Sequence, residues 1–147
     1  MKFEKVFKIG HSLYRSNHKI LAHVIQGFIR LRFNCDIPVQ TEIAPDAYFC
    51  HNAFGVVINP AAKIGGGTTI QHCVTIGEVD SHDAPVIGKN VFIGARAMIL
   101  GDIIIGDNVK IGAGAVVLRN VPHNCTAVGV PARIIGESGV HINKNTF

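Results

Sequence analysis

The aliphatic residues between Ile37 and Val117 recur every six positions, and a small or β-branched residue follows most of them four positions later. A period of six fits neither an α-helix, whose period is about 3.6, nor a strand that alternates every two residues. It fits a solenoid in which each side is one short strand and one corner. We therefore predict an all-β solenoid whose aliphatic residues stack in inward-facing columns. The repeated positions are Ile37, Ile43, Phe49, Ile58, Ile64, Ile70, Ile76, Ile87, Ile93, Ile99, Ile105, Ile111 and Val117.

Glycine directly follows six of these aliphatic residues, at the places where the chain would turn a corner. Because glycine tolerates a positive φ, we expect a left-handed backbone conformation at these corners. The six glycines are Gly65, Gly77, Gly88, Gly94, Gly106 and Gly112.

Two insertions break the six-residue phase, and a solenoid accommodates extra residues only where they bulge outwards at a corner. Residues 55–57 form the first insertion. The second insertion lies between Ile76 and Ile87. We expect it to project from the coil, either as a solvated loop or as part of a substrate site. Its polar residues are Glu78, Asp80, Ser81, His82 and Asp83.

A helical pattern precedes the solenoid. Apolar residues from Ile20 to Ile29 are spaced as one stripe of an amphipathic helix, with Ser16 or Asn17 placed to cap it. A less regular helix is predicted before it, interrupted near Gly10. We expect the stripe to pack on the solenoid or on a neighbouring subunit, and weak contact with a membrane surface is the alternative. The stripe consists of Ile20, Leu21, Val24, Ile25, Phe28 and Ile29.

Charge is distributed unevenly along the chain. Residues 1–32 carry seven Lys or Arg against one Glu, whereas the remainder carries seven against nine acidic residues. A nucleic-acid-binding protein would be expected to carry a broad basic face, so this distribution argues against nucleic acid as a partner. The basic N-terminal segment is the reason why contact with a membrane surface stays an alternative interpretation.

The composition is typical of a single globular domain. At 147 residues, with 48% hydrophobic and 16% charged residues, the chain is long enough for one core and too apolar to be disordered. Its apolar runs are shorter than the roughly 18 residues of a membrane span, and we find no secretion signal. We interpret the four widely spaced cysteines as free thiols and expect a cytoplasmic protein. They are Cys35, Cys50, Cys73 and Cys125.

One outward column of the predicted solenoid combines histidines with very small side chains. His51, His72, Ala95 and Ala113 occupy the same position of successive coils. The two alanines would let an extended ligand, such as a pantetheine arm, lie against the backbone. Asp36 lies 15 residues before His51, close to one coil, so we expect the carboxylate to approach the imidazole. Such a pair suits general-base catalysis, because the carboxylate fixes the tautomer and stabilises the imidazolium.

Several short motifs resemble those of the hexapeptide-repeat acyltransferase family, above all its serine O-acetyltransferases and sugar-acetylating members. The resemblance implies a left-handed parallel β-helix, a homotrimer, acetyl-CoA as the donor, and active sites between neighbouring subunits. We expect no metal cofactor. The expected organisation is a helical segment at 1–35, the β-helix at 36–136 and a tail at 137–147. The motifs are DIP at 36–38 followed by His51, VTIG at 74–77, PVIG at 85–88, KIGAGAVV at 110–117 and VGVPARIIG at 128–136.

The resemblance also assigns roles to residues. His51 matches the catalytic base that removes the proton of the acceptor hydroxyl, and Asp36 matches the carboxylate that orients it. His72 and His82 are the candidate acceptor-binding residues. The candidate acetyl-CoA contacts are the coil positions Gly77, Ala95, Arg96 and Ala113, together with Arg119 and Arg133 as cations for the phosphates.

The chain departs from the family pattern in several places. The family's second active-site histidine corresponds to Ala84, for which His82 is the nearest substitute. Cys50 stands where an Asp usually precedes the base, and Arg96 replaces a small residue. The helical segment stands in place of a large helical N-terminal domain.

These observations predict an O-acetyltransferase that acts on serine or a serine-like small molecule with a hydroxyl. A sugar or polysaccharide precursor is the alternative acceptor. Two rival classes of function stay open. One is an inactive scaffold or binding protein on the same solenoid, and the other is a metal-dependent hydratase.

Overall fold

Two helices followed by a β-solenoid make up the computed structural model, which describes residues 1–79 and 83–137. The helices are α1 (Phe3–Arg15) and α2 (Lys19–Phe33). The residue that precedes α2 is His18, so the predicted cap at Ser16 or Asn17 was wrong. Asn17 has a φ of 64° and forms the tight turn between the helices.

Gly10 does not interrupt the first helix, contrary to the prediction, because α1 runs through it. A Cβ atom at this position would lie 2.8 Å from Cγ1 of Val39 and 3.0 Å from Cγ2 of Ile25. The missing side chain therefore allows α1 to approach both α2 and the solenoid closely. Glycine serves packing here rather than a break in the helix.

The second helix is confirmed, but only Ile25 and Ile29 of the predicted stripe pack against the rest of this chain. Ala22, Ile29 and Phe33 are buried, whereas most of the stripe is exposed. The buried face is selected by the aromatic cluster at the end of the solenoid, where Phe3 lies edge-on to Phe33 with ring centroids 5.8 Å apart. The exposed stripe residues are Ile20, Leu21, Val24 and Phe28.

The solenoid has three faces, and each face is a sheet of short parallel strands. The first face contains β1 (Glu42–Ile43), β4 (Lys63–Ile64), β7 (Val86–Ile87) and β10 (Ile104–Ile105). The second contains β2 (Tyr48–Phe49), β5 (Thr69–Ile70), β8 (Phe92–Ile93), β11 (Lys110–Ile111) and β13 (Cys125–Val128). The third contains β3 (Val57–Ile58), β6 (Thr75–Gly77), β9 (Met98–Leu100) and β12 (Val116–Val117). A last strand, β14 (Arg133–Glu137), pairs antiparallel with β13.

The register of these strands confirms the predicted aliphatic columns. On the third face Ile58 pairs with Ile76, Ile76 with Ile99, and Ile99 with Val117. Each repeated residue on that face is at least 98% buried, while its neighbours in the strands point outwards. Burial of one such side chain contributes roughly 1.5–3 kcal/mol, so the columns form the core of the protein.

The corners use glycine for a different reason from the one predicted. The six glycines that follow the aliphatic residues do not have a positive φ. At Gly65 a Cβ atom would lie 2.3 Å from the carbonyl oxygen of Gly88, so the next coil leaves no room for a side chain. The left-handed conformation falls two residues later, at positions such as Asn90 and Asn108. Their side chains are hydrogen-bonded to each other at 3.3 Å.

Gly27 gives the clearest prediction of increased stability. It lies in the interior of α2, is exposed, and has no atom within 4 Å of a Cβ built on it. We expect Gly27→Ala to raise the free energy of unfolding by about 0.5–1 kcal/mol, because alanine loses less backbone entropy in a helix. Thermal unfolding measures the effect. The matched variant Gly65→Ala should lower the melting temperature, and an unchanged or lower value for Gly27→Ala would contradict the prediction.

Within residues 1–79 and 83–137, neither helix is long and apolar enough to cross a membrane. The predicted tail at 137–147 lies almost entirely outside the described residues, as does His82.

Candidate active site

The structure brings His51 and His72 together at one corner of the solenoid. The corner lies between the second and third faces, and each histidine is two residues past the end of a strand, β2 or β5. Their ring centroids are 5.1 Å apart and the ring planes meet at 88°, an edge-to-face contact. His51 is exposed, whereas Nδ1 of His72 is buried and has no hydrogen-bond partner among the described residues.

Small residues continue the same corner column in the next coils. Backbone hydrogen bonds run from Arg96 to His72 at 3.1 Å and from Gly114 to Ala95 at 2.8 Å, so the corners stack in register. Ala113 is exposed in the last of these coils. Arg96 is also exposed and has a φ of 59°, a left-handed conformation at the corner.

His51 is held in an unusual backbone conformation. His51, Asn52 and Ala53 have φ values of 54°, 53° and 62°, three consecutive left-handed residues without a glycine. This conformation costs roughly 1–2 kcal/mol per residue and persists only where the surroundings enforce it. Such conformations cluster at functional sites, where they orient a side chain before the ligand binds.

The first helix supplies the contacts that enforce this turn. Oδ1 of Asn52 accepts a hydrogen bond of 3.2 Å from the backbone N–H of Phe3. Glu4 accepts one of the same length, 3.2 Å, from the N–H of Phe49, the residue that ends β2. The start of α1 therefore fixes the corner from which the His51 imidazole projects. Sequence analysis missed Glu4 and Asn52, because their partners lie more than 40 positions away and no local motif marks such contacts.

The cysteine beside His51 is a neutral thiol. Burial, followed by the nearby Glu4 carboxylate, raises the pKa of Cys50 above its ordinary value. Burial and the Asp36 carboxylate together raise the pKa of Cys35 to about 12. Neither thiol is ionised near neutral pH, so neither is activated as a nucleophile.

Asp36 is paired with an arginine at the end of α2. Nε and one terminal nitrogen of Arg30 approach the same carboxylate oxygen at 2.8 and 2.7 Å, and both side chains are about half exposed. Arg30 was missed at the sequence level, although its place in the last turn of the predicted helix, six residues before Asp36, is a usable signal.

The described residues contain no hydrogen bond between Asp36 and the His51 ring. Asp36 lines a shallow depression together with Gly77, between α2 and the third face. His51 lines a different one, beside Glu4 and Asn52. The orienting role of Asp36 therefore stays a prediction.

Arg119, Arg133 and Ala84 are further positions that the sequence analysis singled out. Arg119 and Arg133 line one depression near the last strand, both exposed, so the structure brings these two cations together. Ala84, at the place of the family's second histidine, is buried. The described residues contain no cluster of three or more His, Cys, Asp or Glu side chains that could hold a metal ion.

Comparison with known proteins identifies the fold and its relatives. A sequence profile described as "Bacterial transferase hexapeptide (six repeats)" matches residues 84–119. Chloroplastic serine acetyltransferase 1 of Arabidopsis thaliana is 44% identical over 132 residues, which are 88% of this chain and 42% of that protein. A serine acetyltransferase in complex with CoA superposes with a TM-score of 0.82 at 39% identity, covering 88% of this chain and 54% of that one. This chain therefore carries a hexapeptide-repeat transferase domain that is similar to that of the serine acetyltransferases.

Another solved structure similar to this chain is the soybean serine acetyltransferase in complex with serine. It has a TM-score of 0.82 and 40% identity, and covers 88% of this chain and 54% of its own. The chain thus spans about half the length of the serine acetyltransferases that it matches. The parallel solenoid with two preceding helices is the part that it shares with them.

Proposed function

We propose that this hexapeptide-repeat acyltransferase transfers the acetyl group of acetyl-CoA to the hydroxyl of serine or a serine-like small acceptor. The observation that carries the proposal is the exposed His51 imidazole on a strained corner, next to a column of small residues. A solenoid that is about 40% identical to serine acetyltransferases solved with CoA and with serine supports both substrates.

In the proposed reaction His51 acts as the general base. It accepts the proton of the acceptor hydroxyl while the hydroxyl oxygen attacks the thioester carbonyl carbon. The resulting tetrahedral oxyanion is stabilised by backbone or side-chain donors. When the intermediate collapses, the C–S bond breaks, the CoA thiolate leaves, and the proton on His51 passes to that thiolate. The base is regenerated without an acyl-enzyme, and Asp36 is proposed to orient it.

The proposed donor site follows the column of small residues. Ala95 and Ala113, with Gly77, leave the backbone accessible to an extended pantetheine arm, and Arg96 lies beside the column. Arg119 and Arg133, which line the same depression, are the proposed partners of the CoA phosphates. A guanidinium group suits this role because it can donate two parallel hydrogen bonds to the oxygens of one phosphate. His72 and His82 are proposed to contact the acceptor. The mechanism uses no metal.

We propose that the protein is a homotrimer with active sites between subunits. The His51 imidazole is exposed on the single chain and lines only an open depression. We propose that a neighbouring subunit packs beside this corner and encloses the reacting groups. Light scattering of the purified protein should give about three times the 15.8 kDa of one chain.

A sugar hydroxyl is the second candidate acceptor, and one observation favours it. The neutral Cys50 thiol and the buried Ala84 stand where the resemblance places an acidic residue and a histidine. Neither position therefore supplies the carboxylate or the imidazole that the resemblance places there. A sugar has no amino group that would need an acidic partner.

Release of free CoA thiol tests the proposed function. Acetyl-CoA is mixed with the protein and with serine or members of a panel of sugars, and the thiol is followed spectroscopically. Acceptor-dependent release with serine supports the main proposal, and release only with sugars supports the second candidate. If neither serine nor any sugar of the panel gave thiol release above the rate without protein, the inactive scaffold or binding protein would be favoured.

Cys50 provides a test of direct transfer against a covalent route. Because its thiol stays protonated, we expect Cys50→Ser to keep the turnover rate within about threefold of the wild type. Mass spectrometry of the wild-type protein with acetyl-CoA alone should show no acetylated Cys50. A stable acetyl-Cys50 species that disappears when acceptor is added would contradict the direct mechanism.

The cysteines support a reducing compartment. Cys35, Cys50 and Cys73 are free thiols in the structure. Since proteins of oxidising compartments usually pair their cysteines, we propose that the protein works in the cytoplasm.

A further inference from the structure

Glu4 places a carboxylate beside the proposed catalytic base. It lines the same depression as His51, and of the described residues that line this depression it is the one acidic residue. Burial and, next to it, the Glu4 carboxylate raise the pKa of Cys50, so the negative charge acts at the residue adjacent to His51. Glu4 therefore belongs to the surroundings of the base, although it comes from α1 and not from the solenoid.

The Glu4 carboxylate is held in place without being neutralised. Its Oε1 accepts a hydrogen bond of 3.2 Å from the N–H of Phe49, whereas Oε2 has no hydrogen-bond partner among the described residues. Lys2 lines the same depression, but no ion pair joins it to Glu4 in the part of the chain that the structure describes. Glu4 lies in the first turn of α1, where the helix dipole stabilises a negative charge. The carboxylate is thus free to bind a cationic group of a ligand.

This charge distinguishes between classes of acceptor at His51. In an amino acid such as serine, the ammonium group is on the carbon next to the one that carries the hydroxyl. A carboxylate near the base can therefore bind the ammonium while the base takes the hydroxyl proton. A neutral sugar brings no cation, so it would cover the carboxylate without compensation for its lost hydration.

The other side of Glu4 is unsuited to a cation. Glu4 also borders the depression between α1 and the first coil, which Lys8 and Arg15 line. These two basic residues would repel an ammonium group there. The depression that contains His51 is therefore the favoured place for the cationic group.

We propose that Glu4 is a specificity-determining residue that binds the ammonium group of an amino-acid acceptor at the His51 site. This assignment rests on the proposed function, because it takes the His51 site to be the place where the acceptor binds. It favours an amino acid over a sugar as the acceptor.

The preference between two matched acceptors tests the proposal. The compound 3-hydroxypropionate is serine without its amino group, and CoA-thiol release gives kcat/KM for each. Glu4→Gln removes the charge, while its amide oxygen can still accept the hydrogen bond from Phe49. We expect the ratio of kcat/KM for serine to that for 3-hydroxypropionate to fall at least about tenfold, mainly through a higher KM for serine, because a charge-assisted hydrogen bond is lost. Adding Cys50→Asp to Glu4→Gln should restore part of this ratio, since it returns a carboxylate next to His51; a merely structural role of Glu4 predicts no such rescue.

Glu42→Gln is the matched control. Glu42 is exposed on the first face, 3.5 Å from the ammonium of Lys63, so this variant removes the same charge elsewhere and should leave the ratio unchanged.

Calorimetric binding of serine separates this proposal from the proposed acetyl transfer. The wild type should bind serine at least about tenfold more tightly than Glu4→Gln does, whether or not thiol is released. Binding that depends on Glu4 without thiol release would support the Glu4 assignment and contradict the proposed function. An unchanged acceptor preference and an unchanged serine affinity in Glu4→Gln would overturn the assignment, as would the absence of serine binding to the wild type.

Discussion

Replacement of His51 by alanine should lower the turnover rate of acetyl transfer by about 10²–10⁴-fold, because the acceptor hydroxyl then loses its general base. Initial rates of CoA-thiol release at saturating acetyl-CoA measure the effect. The loss should appear in kcat rather than only in the KM for the donor, since the imidazole is proposed to act on the reacting hydroxyl.

His123→Ala is a suitable control for this experiment. His123 is also an exposed histidine on a corner of the solenoid, where it is hydrogen-bonded to the backbone of Asp107 at 2.8 Å. It lies outside the proposed site, so its replacement should leave turnover close to normal. If His51→Ala kept a near-normal rate with every acceptor that the wild type uses, the proposed mechanism would be wrong.

The second large effect concerns stability. Ile99 is completely buried in the middle of the third face, between Ile76 and Val117. We expect Ile99→Ala to lower the free energy of unfolding by about 2–5 kcal/mol, because it removes buried methyl groups and leaves a cavity that the stacked coils cannot close. Urea unfolding at a fixed protein concentration measures the loss.

The adjacent residue gives the comparison for Ile99. Met98 lies in the same strand but points outwards and is 40% exposed. Met98→Ala should change the free energy of unfolding by no more than about 0.5 kcal/mol. Equal losses for the two variants would show that the inward column is not what stabilises the coil.

The buried core could be predicted from the six-residue period because the same pattern repeats in every coil of the solenoid. Once Ile76 is stacked on Ile58, the register of Ile99 and Val117 follows, and an insertion can only bulge outwards. The same reasoning placed His51 and His72 in one column, and their ring contact agrees with it. Patterns that repeat along the whole chain are therefore visible in the sequence alone.

Contacts that do not repeat were not predictable in this way. The helix α2 is apolar on two sides, so its periodicity could not say whether Ile29 or Val24 faces the solenoid. The pairing of Asp36 with Arg30 depends on the path of the chain where the helix enters the first coil. Glu4 and Asn52 act across the join between α1 and the solenoid, and only the folded arrangement brings them to the His51 turn.

The reversed last strand also affects how the protein behaves in concentrated solution. A stack of parallel strands ends in unpaired backbone groups that another copy could extend, producing a filament. Here β14 runs back along β13, and the N–H of Ala132 and the carbonyl of Gly129 bond to Val116 of β12. At the other end the two helices pack over the first coil. The protein is thereby protected at both ends against head-to-tail polymerisation.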